Sequence, residues 1–393
     1  MESLGYSEFS QGILHRLVHQ RVPLCGTIEV TRRCPMNCVH CYNNLPLNDD
    51  TRSDELTYEK HCRILDQITE AGCFWLLYTG GEIFARPDFL DIYTYAKRKG
   101  LLITLFTNGT LITPEAANHL AKSRPFAIEI TLYGRTKETH ERVTRVPDSY
   151  EQCMRGIHLL MERRLPLKLK TVAIEPNKHE LWDIKRFVEE DLGVEFKFDA
   201  MINGRIDHSA TPLAVRLTPE EVVEFDLKDS KRMSALKTFC AEYIGLPVTP
   251  EEPTQLYQCS GGLYSFAIDP TGKMSVCGLT QTEAYNLRGA SFKEGWKHLA
   301  EIRQKKVTKQ TKCLACEIQA LCGMCPVNGE LENFDPEEPV DFMCQVAHLR
   351  AKALGLKLKP HGACEYCKPA TLAGTLEWWN NGMMGKWNTG MME

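Results

Sequence analysis

The sequence predicts an α/β fold built on a parallel sheet, open or curled into a partial barrel, followed by a smaller cysteine-rich region. Three observations predict it. Six strand-like runs alternate with amphipathic helical stretches between residues 22 and 225. Strands two, three and four end in Tyr78-Thr79-Gly80-Gly81-Glu82, Phe106-Thr107-Asn108-Gly109 and Thr131-Leu132-Tyr133-Gly134, so polar and glycine residues fall at one edge. From Cys259 onward, cysteines replace much of the expected hydrophobic core. In open parallel sheets and barrels ligands sit beyond the carboxyl ends of the strands. The residues that follow each strand are therefore the candidates for function.

In order, the strands are expected at Gly26–Thr31, Phe74–Tyr78, Leu101–Phe106, Ala127–Leu132, Leu167–Ile174 and Val194–Asp199. Most are near-continuously apolar, as strands covered on both faces should be. Helices are expected over Thr57–Ala71, with Ile64, Leu65 and Ile68 on one face, over Tyr150–Glu162, with Met154, Ile157, Leu160 and Met161, and over Lys178–Asp191. Four divisions follow: an N-terminal extension over 1–21, a core over 22–225, a cysteine-rich domain over 226–370 and a tail over 371–393. The tail is rich in Gly, Asn, Met and Trp and reads as disordered, with docking as the second reading.

A chain of 393 residues with net charge −4 can bury a large core and shows no basic excess, which disfavours nucleic acid. No run of eighteen apolar residues exists and no signal peptide is evident, so no membrane span and a cytoplasmic location are expected. The 17 cysteines would suit a secreted disulfide scaffold only in a short, signal-bearing chain. Clustered cysteines inside a cell point instead to metal. Cys25, Cys62, Cys73 and Cys153 lie singly in apolar segments and read as small buried hydrophobes.

Directly after the first strand comes Thr31-Arg32-Arg33-Cys34-Pro35-Met36-Asn37-Cys38-Val39-His40-Cys41-Tyr42, with spacing C-x3-C-x2-C. Three thiolates on one loop can hold three corners of a cubane and leave the fourth iron open to a small molecule. The competing reading is zinc held by these cysteines and His40, and spacing alone separates the two only weakly. Gly80-Gly81-Glu82 offers exposed backbone and a carboxylate that can accept an ammonium group, although Gly-Gly is more often a turn.

With these residues the sequence resembles the radical S-adenosylmethionine (SAM) superfamily. Its C-x3-C-x-Φ-C signature is matched by Cys34, Cys38, His40 and Cys41. The resemblance implies a partial (β/α)6 barrel over roughly the first 225 residues, a [4Fe–4S] cluster on the three cysteines, and SAM bound to the open iron. It further implies that Gly80-Gly81-Glu82 receives the methionyl ammonium, that His40 lies near the adenine, and that Thr131 contacts ribose or carboxylate. Arg145 and Lys170 are weaker candidates for the carboxylate. A solvated surface arginine is the competing reading of Arg145.

Cys259, Gly272 and Cys277 make C-x12-G-x4-C, and Cys313, Cys316, Cys322, Cys325 and Cys344 follow. Paired C-x2-C units also suit zinc ribbons. The set resembles the SPASM extension that carries auxiliary Fe–S clusters in this superfamily, departing at one spacing before Cys325. By that resemblance Cys313, Cys316, Cys322 and Cys344 ligate the distal cluster, and Cys259, Cys277 and Cys325 the nearer one. Cys240, Cys364 or Cys367 could complete the latter, or it could be open to substrate or smaller. His361-Gly-Ala-Cys364-Glu-Tyr-Cys367 could equally be a redox dithiol or exposed thiols.

The implied activity is reductive cleavage of SAM to a 5′-deoxyadenosyl radical that abstracts hydrogen from substrate. Reducing flavodoxin or ferredoxin would be the electron partner. The leading substrate is a ribosomally made precursor peptide. Residues 1–21 are too few for a fused leader-binding domain, which suggests a separate peptide-recognition protein. Gly278 stands where sulfatase-maturing members carry Asp, which argues against that chemistry. A tetrapyrrole precursor is the alternative substrate. A non-catalytic Fe–S electron carrier or redox sensor is the alternative of another class. Glu175, Asp199, Asn203 and Arg205 could face substrate from the ends of strands five and six, with strand-end salt bridges as the competing reading.

Overall fold

The computed structural model describes residues 20–243, 255–280, 282–361 and 363–367, together with Gly12, Ile13, Arg16 and Leu17. The expected tail over 371–393 and most of the extension over 1–21 lie outside the described residues.

All six expected strands form, as β1 (Cys25–Thr31), β2 (Trp75–Gly80), β3 (Leu102–Thr107), β4 (Ala127–Thr131), β5 (Leu167–Val172) and β6 (Glu195–Asp199). They pair in parallel in sequence order, each joined to the next by a helical crossover. This is the topology of an unclosed (β/α)6 barrel. The crossovers include α1 (Tyr58–Glu70), capped by Thr57, α2 (Phe89–Arg98), α3 (Pro114–Lys122), α4 (Lys137–Thr144) and α5 (Ser149–Glu162). The stretch expected to be one helix over Lys178–Asp191 is a 3₁₀ turn, then α6 (Leu181–Arg186), then a π turn over Phe187–Asp191.

One face of this sheet is apolar throughout. Ile28, Val30, Leu76, Tyr78, Ile103, Leu105, Ile128, Ile130 and Leu169 alternate with the residues of the other face and are buried. The other face departs from the near-continuous apolar pattern expected above. It carries Glu29, Phe106, Glu129, Lys170 and Lys197, brought into neighbouring positions by the parallel register. Lys170 and Lys197 both reach Glu129, at 3.2 and 2.7 Å.

The described chain divides into two compact units, and the division differs from the expected boundary at 225/226. The first unit is residues 1–217, 255–307 and 326–336; the second is 218–254, 308–325 and 337–393. The expected 226–370 domain is thus split. The reason is strand pairing: β7 (Ser265–Ile268) adds to β1 in parallel, and β8 (Lys273–Ser275) and β9 (Tyr285–Asn286) extend the sheet antiparallel. Gly272, at φ +88°, turns β7 into β8, and Asp269 ties that turn by accepting from Thr271 and Lys273. The second unit contains α7 (Pro219–Lys228), α8 (Ser230–Tyr243), the short α9 (Gln319–Cys322) and α10 (Asp341–Ala353). In it Asp226, almost fully buried, takes ion pairs from Arg232 at 2.6 Å and Arg350 at 2.8 Å.

Candidate functional site

The cysteine loop leaves β1 and is held by backbone bonds at both flanks. Cys34 N–H donates to Leu45 O, and Asn37 and Val39 N–H donate to the carbonyls of Thr144 and Val143 at the end of α4. Val39 packs on the buried cluster of Val143, Ile174 and Ile202. Arg205 closes the loop: its guanidinium donates to Cys41 O at 3.0 Å and to the Asn44 side chain at 2.9 Å. It therefore turns on the cysteine loop and pairs with Asp207 at 3.3 Å, in line with the salt-bridge reading rather than the substrate-facing one.

Cys34 Sγ accepts from Met36 N–H at 3.4 Å and from the Asn108 amide at 3.5 Å. The Cys41 thiol reaches Asn43 Oδ1 at 3.7 Å. Tyr133 near Cys38 and the Asn43 and Asn44 amides near Cys41 favour the charged form of those sulfurs. Burial nonetheless pushes the Cys34 thiol up to about 12 and raises Cys38 and Cys41 as well, each thiolate also repelling another. Donors aimed at sulfurs that cannot carry charge alone suit thiolates neutralised by bound metal. The donor set, soft sulfur without carboxylate, fits iron–sulfur chemistry.

Gly80 and Gly81 are required by the chain itself. A Cβ would lie 2.0 Å from Thr31 O at Gly80 and 2.3 Å from Arg32 O at Gly81. Side-chain-free backbone lets the end of β2 pass against the start of the cysteine loop, where Gly81 N–H donates to Thr31 O and Glu82 N–H to Arg33 O. Glu82 is buried, and its carboxylate accepts from Phe84 N–H at 3.1 Å, Asn108 N–H at 2.7 Å and the Thr107 hydroxyl at 2.7 and 2.9 Å. Its acceptor capacity is nearly filled by the protein. Desolvation raises its pKa despite those bonds. Glu82 thus clamps the end of β3, and Asn108 carries that clamp to Cys34.

His40 sits edge-on to Tyr133, ring centroids 5.0 Å apart, with Nδ1 buried and unpartnered among the described residues. Burial lowers its pKa to about 4, so the ring is neutral. Thr131 ends β4 beside Lys170 on β5. Lys170 lies over the Phe106 ring and pairs with Glu129; burial lowers its pKa to about 8, against the raising effect of Glu129. Arg145 is exposed at the left-handed C-cap of α4, as its surface reading expected. Glu175 pairs with Lys178, Asp199 caps Met201 N–H, and Asn203 is half-buried.

Sequence reasoning missed Glu29. Buried on β1, it accepts from Asn43 at 2.7 Å and Tyr42 at 3.3 Å and so fixes the far end of the cysteine loop. It also missed the buried Arg33–Glu55 ion pair at 2.9 Å and the roles of Asn108 and Tyr133. A lone acidic residue in an apolar strand was the available signal for Glu29.

Among the auxiliary candidates, Cys259 and Cys277 belong to the first unit, Cys259 exposed and Cys277 half-buried. Cys313, Cys316, Cys322, Cys325 and Cys344 belong to the second, with Cys240, Cys364 and Cys367. Cys344 lies close enough to Cys313, Cys316 and Cys322 to perturb their ionisation, and Cys364 likewise acts on Cys313 and Cys316. The hydrogen bond between Cys322 and Cys344 favours the Cys344 thiolate. No disulfide joins any of the 17 cysteines. Of the lone cysteines, Cys73 and Cys153 are buried, while Cys25 and Cys62 are half-buried. Among the described residues no helix is long and apolar enough to cross a membrane.

Residues 28–188 match the Radical SAM superfamily. The AdoMet-dependent heme synthase of Nitratidesulfovibrio vulgaris is 28% identical over 331 residues, 79% of this chain and 89% of that protein. The PqqA peptide cyclase of Bradyrhizobium diazoefficiens is 24% identical over 80% of this chain and 86% of that one. The subtilosin biosynthesis protein AlbA of Bacillus subtilis is 23% identical over 78% and 68%. In fold, the chain is similar to Streptococcus suis SuiB bound to its precursor peptide SuiA (TM-score 0.61, 17% identity, covering 88% of this chain and 82% of that one). It is also similar to anSMEcpe with bound AdoMet (TM-score 0.60, 15% identity, 84% and 93%). A cysteine loop after the first strand of a parallel (β/α)6 sheet, relatives aligned over most of the chain and a cysteine-rich C-terminal region lead to one assignment: residues 28–188 are a radical SAM domain, and the chain as a whole is similar to enzymes of that superfamily.

Proposed function

We propose that this radical SAM enzyme holds its catalytic [4Fe–4S] cluster on Cys34, Cys38 and Cys41 and modifies a ribosomally made precursor peptide. Held there, the cluster with SAM would supply radical hydrogen abstraction, with an external reductant such as flavodoxin or ferredoxin providing the electron. The chain's own residues do the rest. Asn108, Tyr133 and the Met36, Asn43 and Asn44 amides stabilise charge on the three sulfurs. Neutral His40 stands on the same loop, its Nδ1 buried without a described partner, where the resemblance puts the adenine. With the Glu82 carboxylate nearly filled by protein donors, the backbone carbonyls at Gly80 and Gly81 are the better candidates to receive the methionyl ammonium. Thr131 and Lys170 lie at the same strand ends for the carboxylate or ribose.

The observation that carries the peptide reading is the polar face of the sheet. Glu29, Glu129, Lys170 and Lys197 put both signs of charge on it. Such a face, with both signs of charge side by side, suits a polar peptide segment. The peptide cyclase and bacteriocin-maturing relatives support it. A tetrapyrrole substrate is the second reading, favoured by the similarity to heme synthases over most of both chains. Of the remaining cysteines, Cys313, Cys316, Cys322 and Cys344 in the second unit would carry an auxiliary cluster.

The test incubates reduced, reconstituted enzyme anaerobically with SAM and either a candidate precursor peptide or a propionate-bearing iron porphyrin. A peptide mass change that requires SAM supports the proposal. Decarboxylation of the porphyrin with the peptide untouched overturns the substrate. Release of 5′-deoxyadenosine by Cys34→Ala, Cys38→Ala or Cys41→Ala enzyme at the parent rate overturns the cluster ligands.

A further inference from the structure

A second group of metal-ligating side chains lies in the second unit, among residues that neither SAM chemistry nor the auxiliary cysteine pattern uses. His348 projects from α10, and His361, Cys364 and Cys367 come from the chain after it. Their four donor atoms all lie within 4.8 Å of one another. His348 Nε2 is 3.2 Å from Cys367 Sγ and 3.5 Å from Cys364 Sγ, and Cys367 Sγ is 3.2 Å from His361 Nδ1. With metal–sulfur bonds of ~2.3 Å and metal–nitrogen bonds of ~2.0–2.1 Å, a tetrahedral ion sets nitrogen and sulfur donors ~3.6 Å apart and two sulfurs ~3.8 Å apart. The four atoms therefore close on a single ion. A cubane, with four irons between its terminal sulfurs, needs a wider ring of donors.

Three further features fit a closed structural site. His348 Nδ1 lies 2.7 Å from Cys344 O, one helical turn back. That carbonyl takes the Nδ1 proton and turns the Nε2 lone pair toward the thiols, the usual outer partner of a metal-bound imidazole. His361 and Cys364 are buried and His348 and Cys367 half-buried, so the pair is not two fully exposed thiols. The ligands also come as Cys-x2-Cys with His361 three residues before the first cysteine. Two imidazoles and two thiolates are a zinc set, and two thiolate charges neutralise the ion.

We propose that His348, His361, Cys364 and Cys367 bind one zinc ion, which staples residues 361–367 onto α10 next to Cys344. On binding, the two thiols release their protons to solvent, His348 and His361 coordinate as neutral rings through Nε2 and Nδ1, and no electron is transferred. This removes Cys364 and Cys367 from the candidates for completing an iron–sulfur cluster.

The full chain, purified anaerobically, is assayed for zinc and iron by mass spectrometry, and its zinc absorption edge is recorded without any substitution. One zinc per chain with two sulfur and two nitrogen neighbours is expected. Zinc absent from an iron-replete chain, or zinc bound by four sulfurs or by oxygen and nitrogen alone, overturns the site. In Cys364→Ser/Cys367→Ser and in His361→Ala, zinc per chain is expected to fall about tenfold or more, because the ligands carry the binding free energy. Zinc loss supports the site whatever the iron does. Zinc retained in either variant, including the case in which iron falls instead, overturns it.

Discussion

Glu82 offers the sharpest test of how the catalytic loop is held. Glu82→Gln keeps the shape of the side chain and replaces one oxygen by an amide. In the parent, Oε1 accepts from Phe84 N–H and the Thr107 hydroxyl, and Oε2 from Asn108 N–H and the same hydroxyl. The hydroxyl can reverse, but the two backbone N–H groups cannot. Whichever oxygen becomes NH₂, one buried N–H then faces a donor. The loss is one charge-assisted bond and one unsatisfied group, about 1.5–3 kcal/mol, or roughly ten- to a hundredfold in the folded population. Asn108 also loses its anchor, and with it the bond to Cys34 Sγ. Urea unfolding of parent and variant measures the first effect. Iron per chain after reconstitution and 5′-deoxyadenosine release measure the second. Lower stability, lower iron and slower release should occur together. A variant with parental stability and iron but a raised KM for SAM would refute the clamp and make Glu82 a direct ligand of the ammonium.

Gly81→Ala should prevent stable iron loading, since its Cβ meets Arg32 O and no side chain can move aside, whereas Gly289→Ala, exposed and open, should change stability by less than ~0.5 kcal/mol; iron content and urea midpoints compare them. Arg205→Ala removes the bonds to Cys41 O and Asn44 and should cost about 1.5–3 kcal/mol and lower iron retention, with Arg205→Lys recovering only part. By NMR of methylated lysines Lys170 should titrate near 8, because burial outweighs Glu129. Glu129→Gln removes the two contributions that raise it, so the midpoint should fall further, and a rise would refute the assignment. Cys344→Ala should leave SAM cleavage by the first cluster intact while uncoupling it from product, measured as 5′-deoxyadenosine released per substrate modified.

Much of the fold was legible because its signals are local. Strand runs such as Ala127–Thr131 and the face Ile64, Leu65, Ile68 on α1 follow directly from apolar periodicity. The catalytic loop was equally legible, since three cysteines within eight residues need no tertiary information to be recognised. The supporting residues were not. Glu29, Asn108, Tyr133 and Arg205 are each one ordinary polar residue, and only the parallel register gathers them around the sulfurs.

By itself, then, the sequence determined the β–α order, the cysteine loop after β1 and the chemistry those imply, because propensity, periodicity and ligand spacing are short-range properties. Tertiary structure decided what those residues do for one another. It put residues 255–307 on the barrel sheet by pairing β7 with β1, made Gly80-Gly81 a backbone crossing, and filled the Glu82 carboxylate with protein donors. It also drew His348, thirteen residues away from His361, into one donor ring with Cys364 and Cys367. Each outcome depends on hydrogen bonds and donor distances between segments far apart in the chain, which spacing along a sequence does not encode.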